Sequence, residues 1–126
     1  MSLNKTYNTI VGGVEYIDEG ARILKEGGLV AFPTETVYGL GADAFNERAV
    51  LSIFEAKGRP QDNPLIAHIS DFSQIYDICE NISENAIKLA QKFWPGPLTM
   101  VFHKKECVPN SITGGLSTVA VRFPSH

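Results

Sequence analysis

Four short apolar runs, at residues 29–32, 65–69, 98–102 and 118–123, set the frame for this chain. Each is too short for a helix, carries Val, Ile, Leu or Phe, and is bounded by Gly, Pro or polar residues, so each reads as a strand. The first, Leu29-Val30-Ala31-Phe32, reads as a buried one. Between the runs lie segments with apolar residues at helical spacing. Strands that mostly alternate with helices predict an α/β layer architecture. In open sheets of that kind ligands bind outside the carboxyl ends of the strands.

The first run stops at Pro33, which has no amide hydrogen for a sheet ladder. Thr34, Glu35, Thr36 and Tyr38 follow, then Gly39 and Gly41, where the backbone can turn tightly or approach another group closely. Hydroxyls, a carboxylate and glycines at a strand exit resemble the mouth of a site; an ordinary strand-to-loop exit produces the same pattern.

The helical segments are delimited by capping residues and glycines. Residues 17–26 place Ile17, Ala21 and Leu24 on one face, with Asp18 as cap and Gly27-Gly28 as terminator. Residues 47–57 follow Asn46 as N-cap, with Val50, Ile53 and Phe54 buried and Lys57 emerging before Gly58 and Pro60. Further helices are expected at 72–79 and at 83–93, the latter with Ala86, Leu89, Ala90 and Phe93 on one face. Trp94-Pro95-Gly96-Pro97 must turn. A loop through Pro109 and Gly114-Gly115 leads to the last strand.

The 126 residues are enough for one domain with a core. A net charge of −3 excludes a polycation, so any nucleic-acid contact would need a local basic patch. Two pairs qualify, Lys57 with Arg59 and Lys104 with Lys105; the second reads as a solvated loop. No apolar run approaches the roughly 20 residues that cross a bilayer, and the polar N-terminus lacks a signal-peptide core. Cys79 and Cys107 have no CxxC spacing, and Cys79 falls at an apolar helical position, as a reduced core thiol would. These features favour the cytoplasm.

Familiar signatures fit poorly. There is no GxxxxGK[ST] loop and no GxSxG elbow. Gly39-Leu40-Gly41-Ala42-Asp43-Ala44 matches GxGxxA, with Asp62 downstream, but its first glycine stands well past the strand and the helix starts only near Asn46. His68, His103 and His126 share no metal-ligand spacing.

The stretch from Lys57 to Leu65, KGRPQDNPL, is more informative. Lysine supplies a point charge and arginine a planar fork suited to phosphate oxygens. Asn63 adds an amide, and two prolines stiffen the loop. A helix-dipole role explains Lys57 alone but not Arg59 and Asn63. His68, in the apolar LIAHI run, is either a satisfied core histidine or a group at a strand end near other site residues. Thr118 and Arg122 share one side of the last strand by period two, where they line either a cavity or a solvated sheet face.

PTETVYGLG, KGRPQDNPLIAHI, WPGPLT and TVAVRFP, in that order and spacing, resemble the YrdC-like family over roughly residues 17–126. Within it the nearer resemblance is to the branch that makes threonylcarbamoyl-adenylate for threonylcarbamoyl-adenosine in tRNA. The resemblance implies a twisted mixed α/β sheet with flanking helices and a large concave basic cavity. It implies condensation of L-threonine, bicarbonate or CO2, and ATP, with release of pyrophosphate. Carried over by position, Thr36, His68 and Arg122 contact threonine, with Thr34 in the same loop and Arg122 pairing with the carboxylate. Lys57, Arg59, Asn63 and Thr118 contact ATP. Lys57 and Arg59 act electrostatically and no covalent nucleophile is needed. Glu35 orders its loop or serves as a general base. Mg2+ is expected on ATP, with no organic cofactor and no metal site of the protein's own. Implied partners are tRNA or double-stranded RNA and downstream threonylcarbamoyl-transferase proteins, with no membrane.

Alternatives are an RNA-binding or regulatory YrdC-like module without synthase activity, and part of a hydrogenase-maturation carbamoyltransferase, whose zinc-finger and acylphosphatase segments do not occur here. The family pattern continues past His126 with a PSAN-like motif and more nucleotide contacts. Residues 1–126 are therefore expected to be the N-terminal portion of a single YrdC-like domain.

Overall fold

The computed structural model describes residues 11–12, 14–32, 39–58 and 64–125. The chain divides into two compact units, Met1–Arg59 and Pro60–His126.

In the first unit, a 3-10 turn at Val14–Tyr16 leads into helix α1, Ile17–Lys25. Asp18, expected as its cap, stands instead in the first turn, where its charge complements the helix dipole. The N-cap is Tyr16, which makes no side-chain cap bond. The face through Ile17, Ala21 and Leu24 is not the inner one: Ile17 is 68% exposed and Ala21 is exposed. The inner face runs through Gly20, Ile23 and Leu24, and a Cβ at Gly20 would stand 3.7 Å from the Val30 side chain. On the solvent side Arg22 pairs with both Glu19 and Glu26. The helix ends as the glycine pair requires: Gly27 has φ +88°, and the amides of Gly27 and Gly28 donate to the carbonyls of Leu24 and Ile23 at 3.1 and 2.8 Å.

Strand β1, Val30–Phe32, pairs antiparallel with β2, Gly39–Gly41. The run expected to be buried is half-buried: Val30 and Phe32 are partly covered and Ala31 is exposed on the opposite face. Strand β2 was not expected, since GLG has little strand propensity. Its glycines admit the Phe32 ring: a Cβ on Gly39 or Gly41 would stand 2.9 Å from ring carbons. The same placement removes the GxGxxA reading, because these glycines form a strand and not a strand-to-helix turn.

Helix α2, Glu47–Lys57, matches its expected limits. Asn46 Oδ1 accepts from the Ala49 amide at 3.1 Å, Val50, Ile53 and Phe54 are buried, and Gly58 closes the helix at φ +65°. Asn46→Ala should therefore lower stability by about 1 kcal/mol. Chemical denaturation checks this, with Asn46→Asp expected to keep most of the loss from appearing.

The second unit is a mixed sheet of order β3-β6-β5-β4, from Ile66–His68 (β3), Cys79–Glu80 (β4), Thr99–Lys104 (β5) and Thr118–Arg122 (β6). Strands β3 and β6 are parallel; β6 with β5 and β5 with β4 are antiparallel. The helix expected at 72–79 is a 3-10 turn, Phe72–Gln74, running into the single turn α3, Ile75–Ile78. Asp71 and Gln74 form a capping box that starts it. Helix α4, Glu84–Phe93, begins at Ser83, whose hydroxyl accepts from the Ala86 amide. Helix α5, Asn110–Thr113, and β4 were not expected; four and two residues are too few to show a period. One sheet face is dry, with Ala67, Phe102, Val119 and Val121 buried.

Cys79 is a buried free thiol, as expected, but it opens β4 and does not end a helix. Burial pushes its pKa up to about 12, with the nearby Lys105 cation acting the other way. Lys104, expected in a solvated loop, ends β5 and donates from Nζ to the Val108 carbonyl at 3.1 Å. Among the described residues no helix is long and apolar enough to cross a membrane.

Candidate substrate-binding face

Period two puts residues 66 and 68 of β3, 118, 120 and 122 of β6, and 99, 101 and 103 of β5 on the face opposite the dry one. The register aligns them in rows. His68 pairs with Arg122, and Arg122 with Thr99 on its other side. Ile66, Ala120 and Val101 form the next row, and Thr118 and His103 the third. Ile66 and Val101 are 43% and 66% exposed, so this face is open within the unit.

The first row is the most polar. Arg122 Nε and Nη2 both donate to Thr99 Oγ1, at 3.0 and 2.7 Å. That turns one edge of the guanidinium toward β5. His68 keeps exposed surface, yet partial burial of its ring, and then the Arg122 cation, hold its pKa below the ordinary histidine value. The imidazole is therefore neutral at neutral pH and can both donate and accept a hydrogen bond. A neutral imidazole beside a fixed cation suits a small ligand with a carboxylate and a hydroxyl.

Beside this face lies a cavity of about 450 Å³, lined by Leu89 and Phe93 of α4 and by Thr99, Val101, His103 and Thr118. The apolar face expected at helical spacing, Ala86, Leu89, Ala90 and Phe93, is fully buried only at Ala90; Leu89 and Phe93 are each 47% exposed and wall the cavity. The volume falls in the range of small-molecule pockets.

The structure thus brings together three expected site residues. His68 and Arg122 are register partners, and Thr118 lies on the same face and lines the cavity. Lys57 is placed at the exposed end of α2, in the other unit. Thr34, Glu35, Thr36, Arg59 and Asn63 lie outside the described residues. Thr99 was missed as a site residue. Its signal was present in the WPGPLT motif, whose last residue begins a strand on the side period two assigns to Val101.

A mixed α/β unit whose open sheet face carries two imidazoles, a guanidinium and two hydroxyls beside a cavity has the chemistry to receive a small polar molecule. The family model of the Sua5, YciO and YrdC proteins, described as telomere recombination, matches residues 22–126, and the chain belongs to this family. It is 63% identical over 106 residues to a threonylcarbamoyl-AMP synthase of Pyrococcus abyssi, covering 84% of this chain and 31% of that protein. To the threonylcarbamoyl-AMP synthase of Bacillus subtilis it is 52% identical over 111 residues, covering 87% of this chain and 32% of the other. The chain thus spans about a third of the length of these relatives. The crystal structure of P. abyssi Sua5 complexed with L-threonine superposes with a TM-score of 0.81 at 63% identity, covering 84% of this chain and 31% of that one.

Proposed function

We propose that this chain carries the threonine side, and part of the ATP side, of a threonylcarbamoyl-AMP synthase acting in tRNA modification. The observation that carries this reading is the His68–Arg122–Thr99 row on an open sheet face, in a chain 63% identical to a named synthase. A related structure at that identity is a complex with L-threonine, and the row offers what threonine's polar groups need. Arg122 takes the carboxylate. By the family resemblance, His68, Thr36 and Thr34 are assigned to the remaining polar groups. Lys57, Arg59, Asn63 and Thr118 take ATP.

The chemistry is positional. Threonine's neutral amine adds to CO2 and loses a proton to give a carbamate; starting from bicarbonate, the same carbamate forms with loss of water. A carbamate oxygen attacks the α-phosphorus of ATP, and pyrophosphate leaves as the phosphorus–oxygen bond to it breaks. Lys57 and Arg59 offset charge that grows on the phosphate oxygens. Mg2+ would accompany ATP as part of that substrate and would add to the neutralisation of its phosphates. The adenylate then passes to threonylcarbamoyl-transferase proteins and to tRNA, in the cytoplasm.

The test is pyrophosphate release by the intact protein given ATP, bicarbonate and L-threonine. Release that proceeds equally without threonine rejects the reading. Arg59→Ala should reduce ATP use roughly tenfold or more, because a charge-assisted contact is worth about 1.5–3 kcal/mol. Unchanged ATP KM and turnover in the folded variant would take Arg59 out of the site.

A further inference from the structure

We infer that Thr99 is a positioning residue for ligand recognition: its hydroxyl fixes the Arg122 guanidinium so that the free end meets a carboxylate. The inference rests on the reading of Arg122 as the carboxylate partner. Thr99 Oγ1 accepts from both Nε and Nη2 of Arg122. An arginine otherwise offers a carboxylate either the Nε–Nη2 edge or the Nη1–Nη2 end. Here the edge is occupied, and among the described residues Nη1 has no hydrogen-bond partner, so the end is what remains. With both acceptor sites of its oxygen taken, the Thr99 hydroxyl must turn its own hydrogen away from Arg122.

The placement of Thr99 is itself held. Trp94 Nε1 donates to the carbonyl of Leu98, the residue before Thr99, at 2.8 Å. The Gly96 amide donates to the carbonyl of Phe123, the residue after Arg122, at 2.8 Å. The first bond holds the turn that delivers Thr99, and the second ties that turn to the end of β6, so the two partners are held from both backbones. Thr99 is also β-branched, which restricts its χ1 and gives the oxygen one direction. A long, flexible arginine is thereby presented to a ligand in one orientation, and less entropy is lost when the ligand binds.

An ordinary cross-strand pair would have the same bonds and only stabilise the sheet. The two roles separate in the ligand readout. Binding of L-threonine and of L-threoninamide, which lacks the carboxylate, is measured by calorimetry on the intact protein and on Thr99→Val, Thr99→Ser and Arg122→Gln. Thr99→Val keeps the shape and drops the hydroxyl. It should weaken threonine binding about tenfold, narrow the preference for threonine over threoninamide, and raise KM for threonine while leaving KM for ATP unchanged. Thr99→Ser should restore most of the preference. If Thr99→Val lowers the melting temperature but keeps the preference, while Arg122→Gln abolishes it, the positioning role is wrong and the carboxylate reading stands. If Arg122→Gln also keeps the preference, both are wrong. Should Thr99→Val fail to fold, Thr99→Ala is measured against Thr99→Ser by the same ratio, and equal ratios overturn the inference.

Discussion

Arg122→Gln in the intact protein is expected to weaken L-threonine binding by roughly ten- to more than a hundredfold, with the fold retained. The size follows from one charge-assisted hydrogen-bonded contact, about 1.5–3 kcal/mol. The fold should survive because the Arg122 side chain stands on the open face, opposite the buried Val119 and Val121. Glutamine also keeps a donor for Thr99. A second readout is independent of ligand. The Arg122 cation contributes to the depression of the His68 pKa, after burial of the ring. Removing a like charge favours the protonated imidazole, so the His68 pKa should rise in Arg122→Gln. It should stop short of the ordinary value, because the larger cause remains. Titration of the His68 ring resonances by NMR checks this. An unmoved His68 pKa with unchanged threonine affinity, in a folded variant, would remove Arg122 from the site.

The parts of the fold legible in the sequence were those set by local chemistry. Asn46, the face of Val50, Ile53 and Phe54, and Gly58 predicted α2 to the residue, because caps and helical period act within one segment. The expected helix at 83–93 is α4, Glu84–Phe93, with Ser83 standing just outside it as the N-cap. What failed depended on partners distant in sequence. Residues 29–32 have the composition of a buried strand, but burial depends on what packs on each face, and Ala31 faces outward. Gly39–Gly41 forms a strand whose bare glycines leave room for the Phe32 ring, a fit that no strand propensity records. Helix α1 turned its inner face toward Gly20 because Val30 lies there.

The candidate site divided along the same line. Period two placed Thr118 and Arg122 on one side of a strand, and that held. That His68 would face Arg122 across a parallel pair is a register fact, and a shift of one residue would have put His68 on the dry face. Thr99 went unnoticed because its role exists only opposite Arg122. The family motifs carried the rest: WPGPLT and TVAVRFP come from separate parts of the chain, yet they meet at Trp94, Gly96 and Phe123.

That meeting point leads to the second large effect. Trp94→Ala is expected to cost about 3–5 kcal/mol, a large fraction of the roughly 5–15 kcal/mol that holds a domain of ordinary stability. Trp94 is 8% exposed. Its ring meets Phe72 and Phe123 edge-on, with centroids 6.4 Å apart in both pairs, and its indole N–H donates to the Leu98 carbonyl. Alanine loses the apolar burial and both ring contacts, and it leaves that carbonyl without its donor. Trp94→Phe keeps an aromatic body and loses only the donor and some volume, so its cost should be smaller, about 1–3 kcal/mol. Denaturant unfolding followed by circular dichroism orders the two variants, since the protein's one tryptophan is absent from both. The consequence for the site differs from that of an ordinary core deletion. Leu98 precedes Thr99, and Phe123 follows Arg122, so Trp94→Phe should weaken threonine binding even at temperatures where it is fully folded. A variant as stable as the parent would show that the Trp94 cluster does not hold this unit together. A destabilised variant with parental threonine affinity would show that the cluster supports the sheet without setting the geometry of its open face.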